Sequence, residues 1–433
     1  YFLIAFIILG IFLRVVGLKQ EYLWDDEQLS MVSAIKMHRQ DFKSGVLYFQ
    51  EHPGLGKWLV ALPSNFITAN YQPLASLGPN MFAWSFLAYE SISANYGAIR
   101  LMNALIGVLA IFFVYLIMKK LFNRKAALWG AAIMAMSPDM IALSRHEVLM
   151  KIISISMVLG TIYFYIMYLM EKVEDKKWIY LGATIVFMTF ALGSRNFDPL
   201  FIIPTIILSQ FFINRGKDKL KENLIVTGLV ILSFLFVFYY TYPPEAKVFA
   251  QNHLNANSPV ELIGFTFPSM LYFIMIRNSY IIPIAFVLTI LGFIYYLNKK
   301  ENSDQEKALI NPWQFLKPNE PKAVLLIFLI VSFFGIGFTR LGSGFMYNLT
   351  FYASLFLLSG IAISHLIRKY NKLKYLFLLI FLVTAIQITP NFPYSTWDYS
   401  NFNIGNGFYG NKLDKTVPDS ILNELKSRGN PLI

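Results

Sequence analysis

Cysteine is absent from all 433 residues, so the chain can form neither a disulfide nor a thiolate metal site, and it has no thiol nucleophile. Charge is scarce as well. Asp, Glu, Lys and Arg make up 14% of the sequence, against about 25% in an ordinary soluble domain. No internal repeat and no phosphate-loop spacing is visible. The formal net charge of +12 does not mark a nucleic-acid partner, because the basic residues are scattered among short loops between apolar runs. What fills the chain is hydrophobic, at 56% of residues, with 40 Phe and 25 Tyr suited to lipid contact and to the membrane interface. The chain is an all-α polytopic membrane protein, since a lone strand would leave its backbone unpaired in lipid.

About eleven spans are expected. The first is Tyr1 to Leu18, broken only by Arg14. It lacks a basic flank and a small-residue cleavage site, so it is read as a true first helix with its start missing and not as a removable signal peptide. A long stretch, 19–99, follows. Spans then lie near Leu101–Met118, Ala126–Leu143, Ile152–Met170, Ile179–Leu192, Pro199–Ile213, Leu224–Tyr240, Met270–Leu297, Ala323–Phe338, Phe345–Ile367 and Tyr375–Ile388. One set of loops carries 20 basic residues, in the stretches 119–125, 172–177, 215–221, 299–322 and 368–374. By the positive-inside rule these are cytoplasmic. The long first loop and the segment 390–433 then face outward, the latter as a short tail or a truncated domain.

Polar groups gather at that outward edge. Trp24-Asp25-Asp26-Glu27 follows the first span, and Glu51-His52-Pro53-Gly54-Leu55-Gly56-Lys57 lies some 25 residues further on. A carboxylate at the lipid-water boundary can stay ionised and still meet the headgroup of a lipid-borne substrate. Leu55, Trp58, Leu59, Leu62 and Phe66 recur at helical spacing, and Met81 to Phe86 is rich in interfacial aromatics. Both suit short helices lying on the membrane. Four lone arginines, Arg100, Arg145, Arg195 and Arg340, break the charge rule by falling at outer helix ends. Together they would make a receptor for a lipid phosphate, because the guanidinium fork matches phosphate geometry. The plainer alternative is that each snorkels to headgroups or pairs locally, as Arg195 with Asp198.

Among the acids, Asp26 or Asp25 is placed to take a proton from an acceptor hydroxyl. Glu147, in Ser144-Arg145-His146-Glu147, is a second acid or a metal ligand. Asp26, Glu147 and His52 could hold a divalent metal, which the sequence does not require. Ordinary interfacial solvation accounts for Asp25 and Glu51.

Taken in order, Asp26-Glu27, His52 to Lys57, Arg100-Leu101, Phe122 to Ala127, Ser137-Pro138 and Ser144-Arg145 resemble the polyprenyl-phosphate-sugar glycosyltransferases of the GT-C superfold. Within that superfold the pattern is similar to that of protein O-mannosyltransferases and the aminoarabinose transferases of lipid A. The resemblance implies a GT-C-like bundle whose long outward loop carries interfacial helices. It implies an inverting transfer from a polyprenyl-phosphate-linked sugar to a hydroxyl of a protein or lipid acceptor at the outer face. By that carry-over Asp26 is the general base. Glu27 and the turn from His52 to Lys57 shape the donor and acceptor pocket, while Arg100, Arg145, Arg195 and Arg340 hold the leaving phosphate. Two departures stand out. Met150 occupies a position where the family often has an acid, leaving Glu147 as its substitute, and Gly54 replaces the second Pro of a His-Pro-Pro turn. The rival reading is a secondary transporter or flippase for a phosphate-bearing lipid, which should show internal repeats and polar or broken helices at the bilayer midplane.

Overall fold

A computed structural model of the chain describes residues 2–16, 18, 25–39, 41–48, 53–66, 81–145, 150–195, 198–214, 219–241, 284–291, 320–337 and 349–388, and every regular element among them is helical. Helix α1 (Phe2–Val15) is followed by three short helices of the first loop, α2 (Asp25–Arg39), α3 (Phe42–Tyr48) and α4 (Gly54–Val60), and by a 3-10 turn, Leu62–Phe66. Next come α5 (Met81–Leu121), α6 (Arg124–Met136), α7 (Pro138–Arg145), α8 (Lys151–Met170) and α9 (Glu174–Leu192). A 3-10 turn (Asp198–Phe201) leads into α10 (Ile202–Ile213), and α11 (Leu220–Phe236) ends in a π turn (Val237–Thr241). Residues 284–291 are helical, and α12 (Ala323–Gly337), α13 (Leu349–Lys369) and α14 (Leu373–Ile388) complete the described elements.

Four stretches are long and apolar enough to cross a bilayer: Gly97–Leu121, Lys151–Met170, Leu220–Thr241 and Thr350–Lys369. The bent pair α6–α7 makes a fifth if it counts as one span, and Phe2–Val15, Pro199–Ile213 and Ala323–Gly335 are shorter apolar helices. The chain is therefore an all-α, multi-pass membrane protein. Two expected boundaries are corrected. The span expected from Leu101 is the second half of a longer helix starting at Met81, because no proline interrupts 81–121. The span expected at Ala126–Leu143 is broken at Ser137, and its halves meet at 62° because Pro138 cannot continue the ladder.

The bundle centres on α8, 78% buried over its span, which packs on α5 and α9. Thr350–Lys369 is equally buried, whereas Leu220–Thr241 is only 28% buried and turns most of its surface outward. Close helix approach relies on small residues, as expected where lipid supplies no hydrophobic drive between helices. A Cβ on Gly360 of α13 would lie 2.7 Å from the Gly130 nitrogen and 2.9 Å from the Ala126 oxygen of α6, so the two backbones touch directly. Gly160 of α8 leaves room for Phe187 of α9, whose ring meets Phe113 edge-on at 5.4 Å.

The basic end of the bundle is tied by a polar network. The Tyr168 hydroxyl donates to Glu222 Oε1 at 2.5 Å, and Lys177 and Lys219 both pair with that carboxylate. Tyr165 donates to Gln210 Oε1 at 2.9 Å, and Gln210 donates to Asn223 at 3.0 Å. These bonds join α8, α9, α10 and α11. Each buried donor finds an acceptor, which low-dielectric surroundings make worthwhile.

Candidate functional site

At the opposite end, α1 stops at Val15 and leaves its last carbonyls without intrahelical partners, at the negative pole of the helix. Arginines from two other helices take them up. Arg145, at the end of α7, donates from Nη1 to Leu13 O at 3.1 Å and to Val16 O at 2.7 Å. Arg100 of α5 donates to Leu18 O at 2.7 Å. Asn103 of α5 holds the end of α7 in turn, donating to Leu143 O at 3.1 Å and Ser144 O at 3.0 Å. The chain is thus fixed as it leaves α1, shortly before α2 begins at Asp25. Asp25, Asp26 and Glu27 fall in the first turn of α2.

A second group is assembled by α4. Pro53 sits at its N-cap with extended backbone (φ −56, ψ 155), and Lys57 is buried. Gly54, noted from sequence only as the replacement for a second Pro, has a packing role. A Cβ there would lie 2.6 Å from Val46 Cγ2 and 2.7 Å from Phe42 Cζ of α3. Gly56 is equally constrained, with Ser194 2.8 Å from where its Cβ would stand, and its N–H donates to Gly193 O at 3.3 Å. That bond joins the segment bearing Lys57 to the segment bearing Arg195, just past the end of α9. His38 couples α4 back to α2. Its ring stacks on Trp58 with centroids 5.6 Å apart, Nε2 lies 2.8 Å from Trp58 O, and Asn65 Nδ2 lies 2.9 Å from Nδ1. Since a carbonyl only accepts, Nε2 is the ring nitrogen that donates to Trp58 O.

The third group opens α8. Met150 caps it in a left-handed conformation (φ 56, ψ 24) although fully buried, a strain of order 1–3 kcal/mol that the surrounding packing must hold. Lys151 follows, 1% exposed. In total Arg14, Lys57, Arg100, Arg145, Lys151 and Arg195 are all at most 1% exposed, whereas Asp139 is the single buried acid among the described residues.

Of the residues expected from sequence, Lys57, Arg100, Arg145 and Arg195 are thus buried at one end of the bundle. Asp26 and Glu27 are placed there by their backbone. His52, Glu147 and Arg340 lie outside the described residues, and so does the metal set built on His52 and Glu147. Arg100 and Arg145, expected either to serve a phosphate or to snorkel or pair locally, bind backbone carbonyls at the exit of α1. Arg14 and Lys151 were not singled out. Their one signal was a cation inside, or at the start of, an apolar run on the side where basic residues are sparse.

The family model of dolichyl-phosphate-mannose-protein mannosyltransferases matches residues 78–240. The putative mannosyltransferase YycA of Bacillus subtilis (strain 168) is 24% identical over 173 residues, which is 40% of this chain and 24% of that protein. Among solved structures, ArnT from Cupriavidus metallidurans bound to undecaprenyl phosphate superimposes with a TM-score of 0.53 at 16% identity. The match covers 86% of this chain and 61% of that one. The Archaeoglobus fulgidus oligosaccharyltransferase in complex with Zn and sulfate gives 0.56 at 17% identity, covering 91% of this chain and 53% of the other. The chain therefore spans little more than half the length of these structures. The chain thus shares the fold of the ArnT and oligosaccharyltransferase structures, and its residues 78–240 are similar to the protein mannosyltransferase family.

Proposed function

We propose that this chain is a glycosyltransferase that moves a sugar from a polyprenyl-phosphate donor to a hydroxyl of a protein or lipid acceptor, at the non-cytoplasmic face and with inversion. The observation that carries this reading is the gathering of buried cations, against one buried acid, where α1 gives way to the acid-led α2. A cation out of water is costly unless carbonyls or an anion answer it. The carbonyls at the end of α1 answer part of that charge, and the phosphate of a lipid-linked sugar would answer more. Charge also grows on that phosphate as the glycosidic bond breaks, so fixed cations there stabilise the transition state more than the ground state.

In the proposed step the acceptor oxygen attacks the anomeric carbon from the face opposite the phosphate. Its proton passes to Asp26, the carbon–oxygen bond to phosphate breaks, and polyprenyl phosphate leaves with the bonding pair. Arg100, Arg145, Arg195 and Arg340 hold the leaving phosphate, while Glu27, His52 and Lys57 shape the pocket. Glu147 remains a second acid, and any divalent metal would draw on it together with Asp26 and His52. The test is to reconstitute the purified chain and supply radiolabelled polyprenyl-phosphate sugars with membrane lipid and protein acceptors. Label transferred to an acceptor is expected. Donor consumed by none of the sugars, with labelled lipid instead crossing the bilayer, would overturn the reading in favour of transport.

A further inference from the structure

Arg14 is fully enclosed, at 0% exposed, and the reaction proposed above has no task for it. Its surroundings follow from the break between α6 and α7. In an unbroken helix the Met134 carbonyl would accept from the nitrogen of residue 138, but that residue is proline and carries no N–H. The 62° bend also carries the N–H groups of α7 away from the axis of α6. Carbonyls at the end of α6 are therefore left for another donor. Arg14 supplies it, with Nη2 donating to Met134 O at 3.0 Å and Nη1 to Ala135 O at 2.9 Å. The same guanidinium donates from Nη1 to Gly10 O of its own helix at 3.2 Å and from Nε to Ser144 Oγ at 3.1 Å. Ser144 in turn donates to Met140 O at 2.6 Å.

One planar side chain thus bridges both arms of a broken helix, binding residues 134 and 135 on one side of the bend and Ser144 on the other. The next residue, Arg145, reaches back to Leu13 and Val16, which lie on either side of Arg14 at the end of α1. Each helix lends an arginine to the other. The packing leaves little slack, because Gly107 of α5 must lack a Cβ for Ser144 to fit and a Cβ on Gly10 would lie 2.7 Å from Ile111 Cδ1. We infer that Arg14 is a positioning residue that braces the α6–α7 corner and so sets where Arg145 presents its guanidinium to the lipid phosphate. Lysine could not replace it fully, since an ammonium has no planar fork with which to span four acceptors. The link to the phosphate rests on the function proposed above, whereas the brace itself does not.

The test uses the full chain in lipid nanodiscs, as wild type, Arg14→Lys and Ser144→Ala, none of which disturbs the proposed base. Two quantities are read: backbone amide exchange over 134–145, and the dissociation constant for undecaprenyl phosphate. Both variants should speed exchange over 134–145 while leaving the core of α8 protected. Arg14→Lys should weaken undecaprenyl phosphate binding about tenfold, with Ser144→Ala intermediate, in keeping with the loss of one or more bonds to a charged group. A variant that only lowered the folded fraction would reduce the number of binding sites and leave their affinity unchanged. Wild-type exchange in both variants would overturn the brace. Faster exchange with unaltered affinity would overturn the positioning role. If the wild type transfers no sugar in the reconstitution described above, the function reading falls, and the exchange result still decides the brace.

Discussion

Asp26 is separated from the first span by a stretch that Arg100 and Arg145 hold at Leu13, Val16 and Leu18. The base proposed there would gain accuracy from hydrogen bonds made elsewhere, so its chemistry and its placement can be tested separately. Asp26→Asn keeps the shape of the side chain and removes its basicity. Transfer should fall by about 100-fold or more while donor binding survives, as measured by turnover and by direct binding. Asp25→Asn should cost far less. Single residues were readable from sequence where they broke a local rule. Arg100, Arg145 and Arg195 stood out as lone cations at the sparse end, and Lys57 sat in a recognisable turn. Arg14 did not stand out, because a cation near the end of an apolar run looks like one that snorkels. Only the corner opposite, supplied by residues some 120 positions later, shows what it binds.

Among the elements, α6 and α13 meet backbone to backbone at Gly130 and Gly360. Every atom a Cβ on Gly360 would strike belongs to the α6 backbone, so no side chain can swing aside. Gly360→Ala should destabilise the protein by about 1–3 kcal/mol, read as a lower thermal midpoint in detergent. An unchanged midpoint would mean the helices can part without loss. At the other end, Glu171 joins α8 to α9 by accepting from the N–H groups of Lys172 at 3.0 Å and Val173 at 3.1 Å. These backbone bonds hold its carboxyl below the usual glutamate pKa. A depressed folded pKa gives stability that is present above the unfolded value and lost as pH falls through the folded one. Wild type should therefore outlast Glu171→Gln at neutral pH and lose that advantage on acidification, in thermal unfolding followed across pH. Helices with uniform apolar faces, such as α8 and α13, were legible nearly to their ends. The break at Pro138 was not, because the apolar run continues across it and hydropathy is blind to a missing N–H.

At the scale of the whole molecule, the two ends of the bundle differ in kind. One is closed by a carboxylate with two lysines and a relay of amides and hydroxyls, and the other collects buried cations. The loop charges of the sequence carry the same polarity, and the positive-inside rule turns it into an expected orientation. It follows that Asp41→Cys, exposed between α2 and α3, should react with an impermeant thiol reagent only from outside the cell. Lys372→Cys, exposed between α13 and α14, should react only from the cytoplasm. The native chain has no cysteine to confuse the readout. Labelling with the sides exchanged would invert the orientation.

The helix at the rim bears on which membranes suit this protein. Leu220–Thr241 is 22 residues long and 28% buried, so its length is felt mainly by lipid and hardly by neighbouring helices. At about 1.5 Å per residue it stands roughly 33 Å tall, close to the hydrocarbon thickness of an ordinary bilayer. It ends on Tyr239 and Tyr240, 62% and 75% exposed, rings that favour the headgroup level. A helix held by lipid on most of its surface must tilt when the bilayer thins, and α9 and α10, which pack against it, would be drawn along. Thermal stability measured across phosphatidylcholines of increasing chain length should therefore pass through a maximum near that thickness. A flat profile would show that the rim helix takes its tilt from its protein neighbours and not from the lipid.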